Sequence, residues 1–395
     1  MAIEPIDGAA RSHRLLCVDT VTIEFTLGDE QRELQALAHE FALRELRPVA
    51  PREEFPPDLL PKAARAGLTS YAIPCEYGGG GVDAVTAALI AEELSWGCAG
   101  LAATIQATMF PVRPLVRFGT EEQRARWLPR LASEEGCLAA IAFTEPHAGT
   151  DLQAIRSTAR RGGDGYVLDG EKCYVTNGGI AELTVVFAKL DGAITAFMLE
   201  AGDPGVAPGR VEDKLGLRAS HTGSIVLDAA RIPRDRLIGA EGDGFAIAID
   251  FFTVSRPQVA AGAVGLARAA FEHATAYARE REAFGRPLIA KQGVSFKIAE
   301  MGMAVEAARL LVWRAAASGG DPLLGSYAKA FAADTAMTVT TEAVQVLGGA
   351  GIMKDHPVEK WLRDAKVFQI VEGTSEIQRE IAARVLAGAE FRAPS

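Results

Sequence analysis

Cysteine is scarce in this chain of 395 residues, and it is not arranged for anything. The five, Cys17, Cys75, Cys98, Cys137 and Cys173, are odd in number and scattered in spacing. Neither a disulfide framework nor a zinc site follows from them, and a reducing, cytoplasmic compartment is the default expectation. Positive charge is also short: 41 Lys and Arg against 51 Asp and Glu give a formal charge of −10. Nucleic-acid binding rests on a basic footprint, so that class is set aside. No run of about eighteen apolar residues is apparent, and no membrane span is expected. Arg11, His13 and Arg14 are followed by only a short apolar stretch, without the h-region of a secretory signal. The phosphate loop Gly-x-x-x-x-Gly-Lys, His-Glu-x-x-His, Cys-x-x-Cys and the EF-hand loop are all missing, and no metal is expected.

What is present falls into three textures. After residues 1–25, an extension, residues 26–138 read as helical. Thr26-Leu27-Gly28-Asp29 resembles a capping box, and Leu34, Leu37, Ala38, Phe41 and Ala42 form an apolar stripe ended by Pro48 and Pro51. Further helices are expected at Leu59–Ala66, Ala84–Leu94 and Glu121–Leu131. Residues 139–243 read as strands: Tyr166–Leu168, Cys173–Thr176, Leu183–Lys189, Ile194–Leu199 and Ser224–Leu227 are rich in β-branched and aromatic residues. Asp169-Gly170 and Asn177-Gly178 read as turns between them, giving an antiparallel, barrel-like sheet. Residues 244–395 return to the helical period, with helices expected at Ser255–Arg281, Gly293–Ala317, Ser326–Leu347, Val358–Phe368 and Ser375–Leu386. Alanines at 260, 263, 267 and 274 would allow close helix packing. Helix–sheet–helix is the order, mainly α with a β middle domain, and not the βαβ alternation of a Rossmann or TIM fold.

Four motifs stand out: Ala142-Phe143-Thr144-Glu145-Pro146-His147-Ala148-Gly149-Thr150-Asp151; Lys172-Cys173-Tyr174-Val175-Thr176-Asn177-Gly178-Gly179; residues 279–292; and Gln345-Val346-Leu347-Gly348-Gly349, followed by residues 360–366 and Val371-Glu372-Gly373-Thr374. Glycines of the kind at 348 and 349 let backbone N–H groups approach a phosphate, although a tight turn ending a helix has the same composition.

In these motifs and their order, residues 26–388 resemble the acyl-CoA dehydrogenase family. The resemblance implies FAD as cofactor, an acyl-CoA substrate, an electron-transfer flavoprotein as acceptor, and a C-terminal four-helix bundle. It also implies a homo-oligomer, usually a tetramer built as a dimer of dimers. Residues 141–150, with Ile141, Phe143 and Thr150, match the segment against the flavin; Thr144 would meet its pyrimidine edge and Gly149 would permit close approach. Tyr174 would pack on the ring and Thr176 would lie near N5. Arg281, Phe284 and Gln292 match positions that reach the FAD of a neighbouring subunit. Gln345, Gly348 and Gly349 match the loop on its pyrophosphate, and Thr374 and Glu376 match a closing turn near the flavin.

Glu372 matches the general base. Abstraction of an α-proton needs a carboxylate whose pKa is raised by burial, and Ile370 and Val371 are apolar flanks of the right kind. Some family members carry the base on the long helix instead, at the position of Ser255; serine there leaves Glu372 as the base. Arg256 would order the carboxylate and the acyl-CoA entrance, and Gly373 would lie beside the substrate. Several positions depart from straight-chain members. Val371 stands for an aromatic in the acyl channel, and Thr253 for an acid at the CoA arm. His147 stands for Gly, Thr150 for Ser and Glu376 for Gln. A branched, cyclic or otherwise bulky acyl group is the resulting expectation, with an oxygen-using oxidase on the same fold as the alternative activity.

Overall fold

The computed structural model describes residues 26–388; the expected N-terminal extension, residues 1–25, lies outside them. Helices α1 (Asp29–Phe41), α2 (Leu59–Arg65), α3 (Ala84–Ala107), α4 (Val112–Phe118) and α5 (Glu121–Leu131) come first. The cap of α1 is Gly28 rather than Thr26: the Gln31 side chain accepts the Gly28 N–H at 3.1 Å. Ala38 and Ala42 of its stripe are fully buried, whereas Leu37 is exposed. α3 runs well past the expected Leu94 and is broken at Cys98, whose φ of −163° is extended.

The stretch Ala84–Phe118 is long and apolar enough in composition to cross a membrane, a run that the sequence reading did not single out. Its most apolar window is 94% buried inside the protein, so that composition serves the core.

The middle of the chain forms one eight-stranded sheet from β1 (Ala139–Ala142), β2 (Thr158–Gly162), β3 (Gly165–Thr176), β4 (Leu183–Leu190), β5 (Ala193–Glu200), β6 (Val206–Val211), β7 (Thr222–Pro233) and β8 (Leu237–Ile238). The order is β6-β7-β3-β2-β4-β5-β8, with β1 on β4. Two pairings, β1 with β4 and β2 with β4, are parallel, where the sequence reading expects only antiparallel ones. The expected turn at Asp169-Gly170 is instead a bulge inside β3, where its register against β7 shifts. A bulge takes up one extra residue without ending the strand, and to a sequence pattern it looks like a turn. Asn177-Gly178 does form a turn, with Asn177 at φ 62°.

The helical remainder is built on α6 (Gly244–Glu280). A short hairpin, β9 (Glu282–Ala283) and β10 (Arg286–Pro287), leads to α7 (Gln292–Ala317), α8 (Pro322–Leu347), α9 (Val358–Phe368) and α10 (Ser375–Ala387). α6 packs on α3, α7, α8 and α9. At Gly265 it comes so close to α3 that a Cβ would fall 2.0 Å from the Glu92 carbonyl oxygen. Beside that crossing, buried Glu92 and Glu93 pair with Arg268 of α6, and Glu92 also with Arg309 of α7. The main core runs through both helical parts and one face of the sheet, so the sheet and α6 are fixed relative to each other.

Candidate active site

Glu372 lies in the turn between α9 and α10, with φ at 55°, followed by Gly373 at φ 91°. Two successive left-handed residues reverse the chain sharply. At the second, φ 91° favours glycine, and a Cβ would lie 2.4 Å from Gln378 Nε2 and force that side chain to shift. Thr374 then caps α10, its Oγ1 accepting the Ile377 N–H at 3.3 Å. The turn is held from two sides: Lys329 Nζ of α8 donates to the Gly373 carbonyl at 2.6 Å. Gln378 Nε2 of α10 donates to the Glu372 and Gly373 carbonyls at 3.1 and 3.3 Å.

The side chain of Glu372 meets α6. Ser255 Oγ donates to its Oε2 at 2.8 Å. Arg256 is buried beside it, its guanidinium 5.6 Å from the Phe252 ring centroid. Arg256 Nε has no hydrogen-bond partner among the described residues. By accessible surface Glu372 is half-buried, yet protein surrounds its carboxyl densely enough for desolvation to dominate. That burial pushes its pKa up; the Ser255 hydrogen bond and the charges of Arg256 and Lys329 pull the other way without cancelling it. A carboxylate made more basic, with a hydroxyl fixing its orientation, is equipped to take a proton from carbon.

A second group of predicted residues surrounds the start of the sheet. Ile141 is buried, and the Phe143 ring stacks on Phe187 with centroids 4.4 Å apart. The Thr144 carbonyl accepts the Cys173 N–H at 2.9 Å. Buried Lys172 donates to the Phe143 carbonyl at 3.2 Å and to Glu145 at 2.7 Å. Burial opposes ionisation of Glu145, but Lys172 and the amides of Ser157 and Arg156 hold its pKa down at about 2. This pair ties the 143–145 loop to β3, so Phe143 and Thr144 adjoin the strand that carries Tyr174 and Thr176. Tyr174 occupies a bulge in β3 with φ 56°, and 66% of it is exposed. Thr176 is half-buried at the strand end, and Gly149 and Thr150 are exposed.

The remaining predicted cofactor residues lie elsewhere. Arg281 ends α6, Phe284 sits on the hairpin with 97% of its surface exposed, and Gln292 opens α7. Gln345 is exposed near the end of α8; Gly348 ends that helix at φ 59°, and nothing crowds it or Gly349. Among the described residues none of these side chains bonds to the Glu372 turn or to the 141–150 loop. Thr374 and Glu376 line an open groove of about 460 Å³ with Asp334, Lys366 and Arg379. Thr253 is half-buried and its hydroxyl donates to the Asp250 carbonyl of its own helix at 2.7 Å. Val371 is 38% exposed beside Glu372.

Three side chains that hold Glu372 and its turn escaped the sequence reading in that role: Ser255, Lys329 and Gln378. Lys329 left a faint signal as a lone charge within Ala328-Lys329-Ala330-Phe331-Ala332-Ala333. Ser255 was noted only as the alternative position of the base, since a serine in a helix gives no sign of a distant partner. Glu145 and Lys172 stood inside quoted motifs without a role.

Three family models match in sequence order: "Acyl-CoA dehydrogenase, N-terminal domain" over residues 28–135, "middle domain" over 140–230 and "C-terminal domain" over 242–387. The chain belongs to the acyl-CoA dehydrogenase family. It is 42% identical over 91% of its length to an acyl-CoA dehydrogenase of Bacillus subtilis (strain 168), covering 98% of that protein. It is 41% identical, again over 91% of this chain and 98% of the relative, to a cyclohex-1-ene-1-carbonyl-CoA dehydrogenase of Geobacter metallireducens. Among solved structures, butyryl-CoA dehydrogenase from Megasphaera elsdenii superposes with a TM-score of 0.89 at 39% identity, covering 92% of this chain and all of that one. A chain from the structural work on the electron transferring flavoprotein of Acidaminococcus fermentans gives 0.89 at 38%, covering 93% and 100%. The protein is an acyl-CoA dehydrogenase of the FAD-dependent type. The residues present suit that group: an exposed aromatic on a bulge, an uncrowded glycine turn, and a groove with Lys366 and Arg379 at its wall.

Proposed function

We propose that the protein oxidises a branched, cyclic or otherwise bulky acyl-CoA to its trans-2-enoyl-CoA, with Glu372 as the general base. The observation that carries the chemistry is the desolvated Glu372 carboxyl, oriented by Ser255 and flanked by Arg256. The carboxylate would take the α-proton, and the backbone N–H of Glu372 would meet the thioester oxygen as charge develops on it. FAD, when bound, supplies the acceptor for the hydride that leaves the β-carbon. Thr144, Thr176, Tyr174 and the Phe143 loop would hold its ring, and Arg281, Phe284, Gln292, Gln345, Gly348, Gly349, Thr374 and Glu376 its remaining length. In this reading Val371 and Gly373 would leave room beside the α-carbon, and Thr150 and Thr253 would contact the rest of the substrate.

Support for a bulky acyl group comes from valine rather than an aromatic at 371, and from similarity to a relative named for a cyclic acyl-CoA. Electrons would leave to an electron-transfer flavoprotein, a reading supported by the structural neighbour from work on such a protein. The exposure of Phe284 and Gly348 in a single chain supports a homo-oligomer, a tetramer in this reading, and cysteine usage supports a cytoplasmic enzyme.

Steady-state rates over a panel of acyl-CoA thioesters test the substrate reading. Branched and cyclic acyl groups are expected to lead. A clear preference for butyryl-, hexanoyl- or octanoyl-CoA would overturn it. Turnover with an artificial acceptor but not with oxygen alone is expected of the dehydrogenase; sustained peroxide formation would identify an oxidase.

A further inference from the structure

α8 is a helix of small apolar residues that buries one lysine. Lys329 is 1% exposed, with Ala328 and Ala332 next to it fully buried. A buried ammonium is costly, and it is tolerated where specific acceptors repay desolvation. Its acceptor here is the carbonyl of Gly373, the residue after the base, at 2.6 Å. Gln378, fully buried on α10, donates to the same carbonyl and to that of Glu372. Glu372 itself is held at φ 55°, a conformation that a residue with a side chain adopts only when its surroundings impose it. The two donors come from different helices and converge on the two carbonyls whose direction this left-handed pair sets.

We propose that Lys329 and Gln378 are positioning residues for the reaction: together they clamp the Glu372–Gly373 turn so that the carboxylate faces the substrate, and Lys329 adds a positive charge beside the base. The proposal rests on Glu372 being that base. Capping a turn would require only a neutral donor, which Gln378 already supplies. A charged group gives something more, because Glu372 must be ionised to act although burial resists it. Burial lowers the Lys329 pKa to about 8; Glu372, Asp334 on its own helix and Glu376 on α10 oppose that drop, while Arg256 on α6 deepens it. Below that value Lys329 is charged and, with Arg256, favours the Glu372 carboxylate. Removing the charge leaves desolvation less opposed, so Glu372 titrates at higher pH and the ascending limb of the rate profile moves to the alkaline side.

The experiment is anaerobic reduction of the enzyme-bound flavin by saturating acyl-CoA, followed across pH, with KM from steady state. In Lys329→Met the limiting rate is expected to fall about 100-fold, as a small misplacement of a catalytic group can cause. Its ascending limb should rise by roughly one pH unit, the scale of a lost neighbouring charge. KM should change less than about threefold, because substrate contacts are left in place. Lys329→Gln, which keeps a donor, should move the limb equally while losing less rate, and it carries the test if the Met variant does not fold. Gln378→Met should lower the rate without moving the limb. An unmoved limb in both Lys329 variants would overturn the proposed charge, and wild-type rates in Lys329→Met and Gln378→Met would overturn the clamp. Glu372→Gln, run alongside, keeps the readings apart: if it still reduces flavin at the wild-type rate, the base assignment itself fails.

Discussion

Around Glu372 the polar side chains converge and are buried: Ser255 on its carboxylate, Lys329 and Gln378 on its turn, Arg256 at its side. Around Tyr174, Arg281, Phe284, Gln292 and Gly348 the chain does the opposite, turning aromatic, cationic and glycine residues out to solvent. A proton-transfer group works only if it is oriented and desolvated, and one chain supplies both conditions through α6, α8 and α10. A large aromatic left 97% exposed gains nothing from burial in a single chain. The contrast teaches that the surroundings of Glu372 are assembled within one chain, whereas the proposed cofactor residues are left uncovered by it.

Separating the two regions by mutation is the sharpest way to break that comparison. Glu372→Gln is expected to lower flavin reduction by about 10²- to 10⁴-fold, the usual worth of a positioned base, while the protein stays yellow. Anaerobic bleaching and the flavin absorbance read both halves, and a colourless variant would mean that the regions are not independent. Next in size is Lys172→Met, which removes the ammonium from buried Glu145 and leaves it only the Ser157 and Arg156 amides and His147, and which should cost about 3 kcal/mol of stability in chemical denaturation. The same pair makes stability pH-dependent. The Glu145 pKa in the folded protein, about 2, lies below its ordinary value. Its contribution is therefore complete above the unfolded pKa, about 4.3, and is lost as pH falls from there toward 2. Acid denaturation of the Glu145→Gln protein should show a weaker dependence in that window than wild type. The smallest effect is expected from Arg281→Ala: loss of charge-assisted hydrogen bonds of about 1.5–3 kcal/mol, or roughly ten- to a hundredfold in FAD retention, with α6 and the Glu372 turn unchanged. FAD release on dilution measures it. Full retention would place the FAD phosphates elsewhere.

Legibility in the sequence followed the range of the interactions. Helices Glu121–Leu131 and Val358–Phe368 are found with the expected limits, because their amphipathic period is local, as is the Thr120 cap of the first. β3 was read as two strands, since a glycine after aspartate looks the same in a turn and in a bulge; the partner strand β7 decides which. α3 was read as too short. Its small apolar residues carry no period once every face is buried, so the pattern offers no end point. Within the candidate site, the local Val371-Glu372-Gly373-Thr374 run was readable and its surroundings were not.

By itself the sequence determined the family, the helix–sheet–helix order and the choice of Glu372 as the candidate base, because contiguous motifs and periodicities carry that information. Tertiary structure alone decided how the base is held. Ser255 is 117 positions from Glu372, and Lys329 is 44 from Gly373. Such pairs meet only once α6, α8 and the α9–α10 turn have packed, and packing, unlike a motif, leaves no trace in the neighbouring letters. The long-helix position weighed as the alternative site of the base places a serine hydroxyl against Glu372.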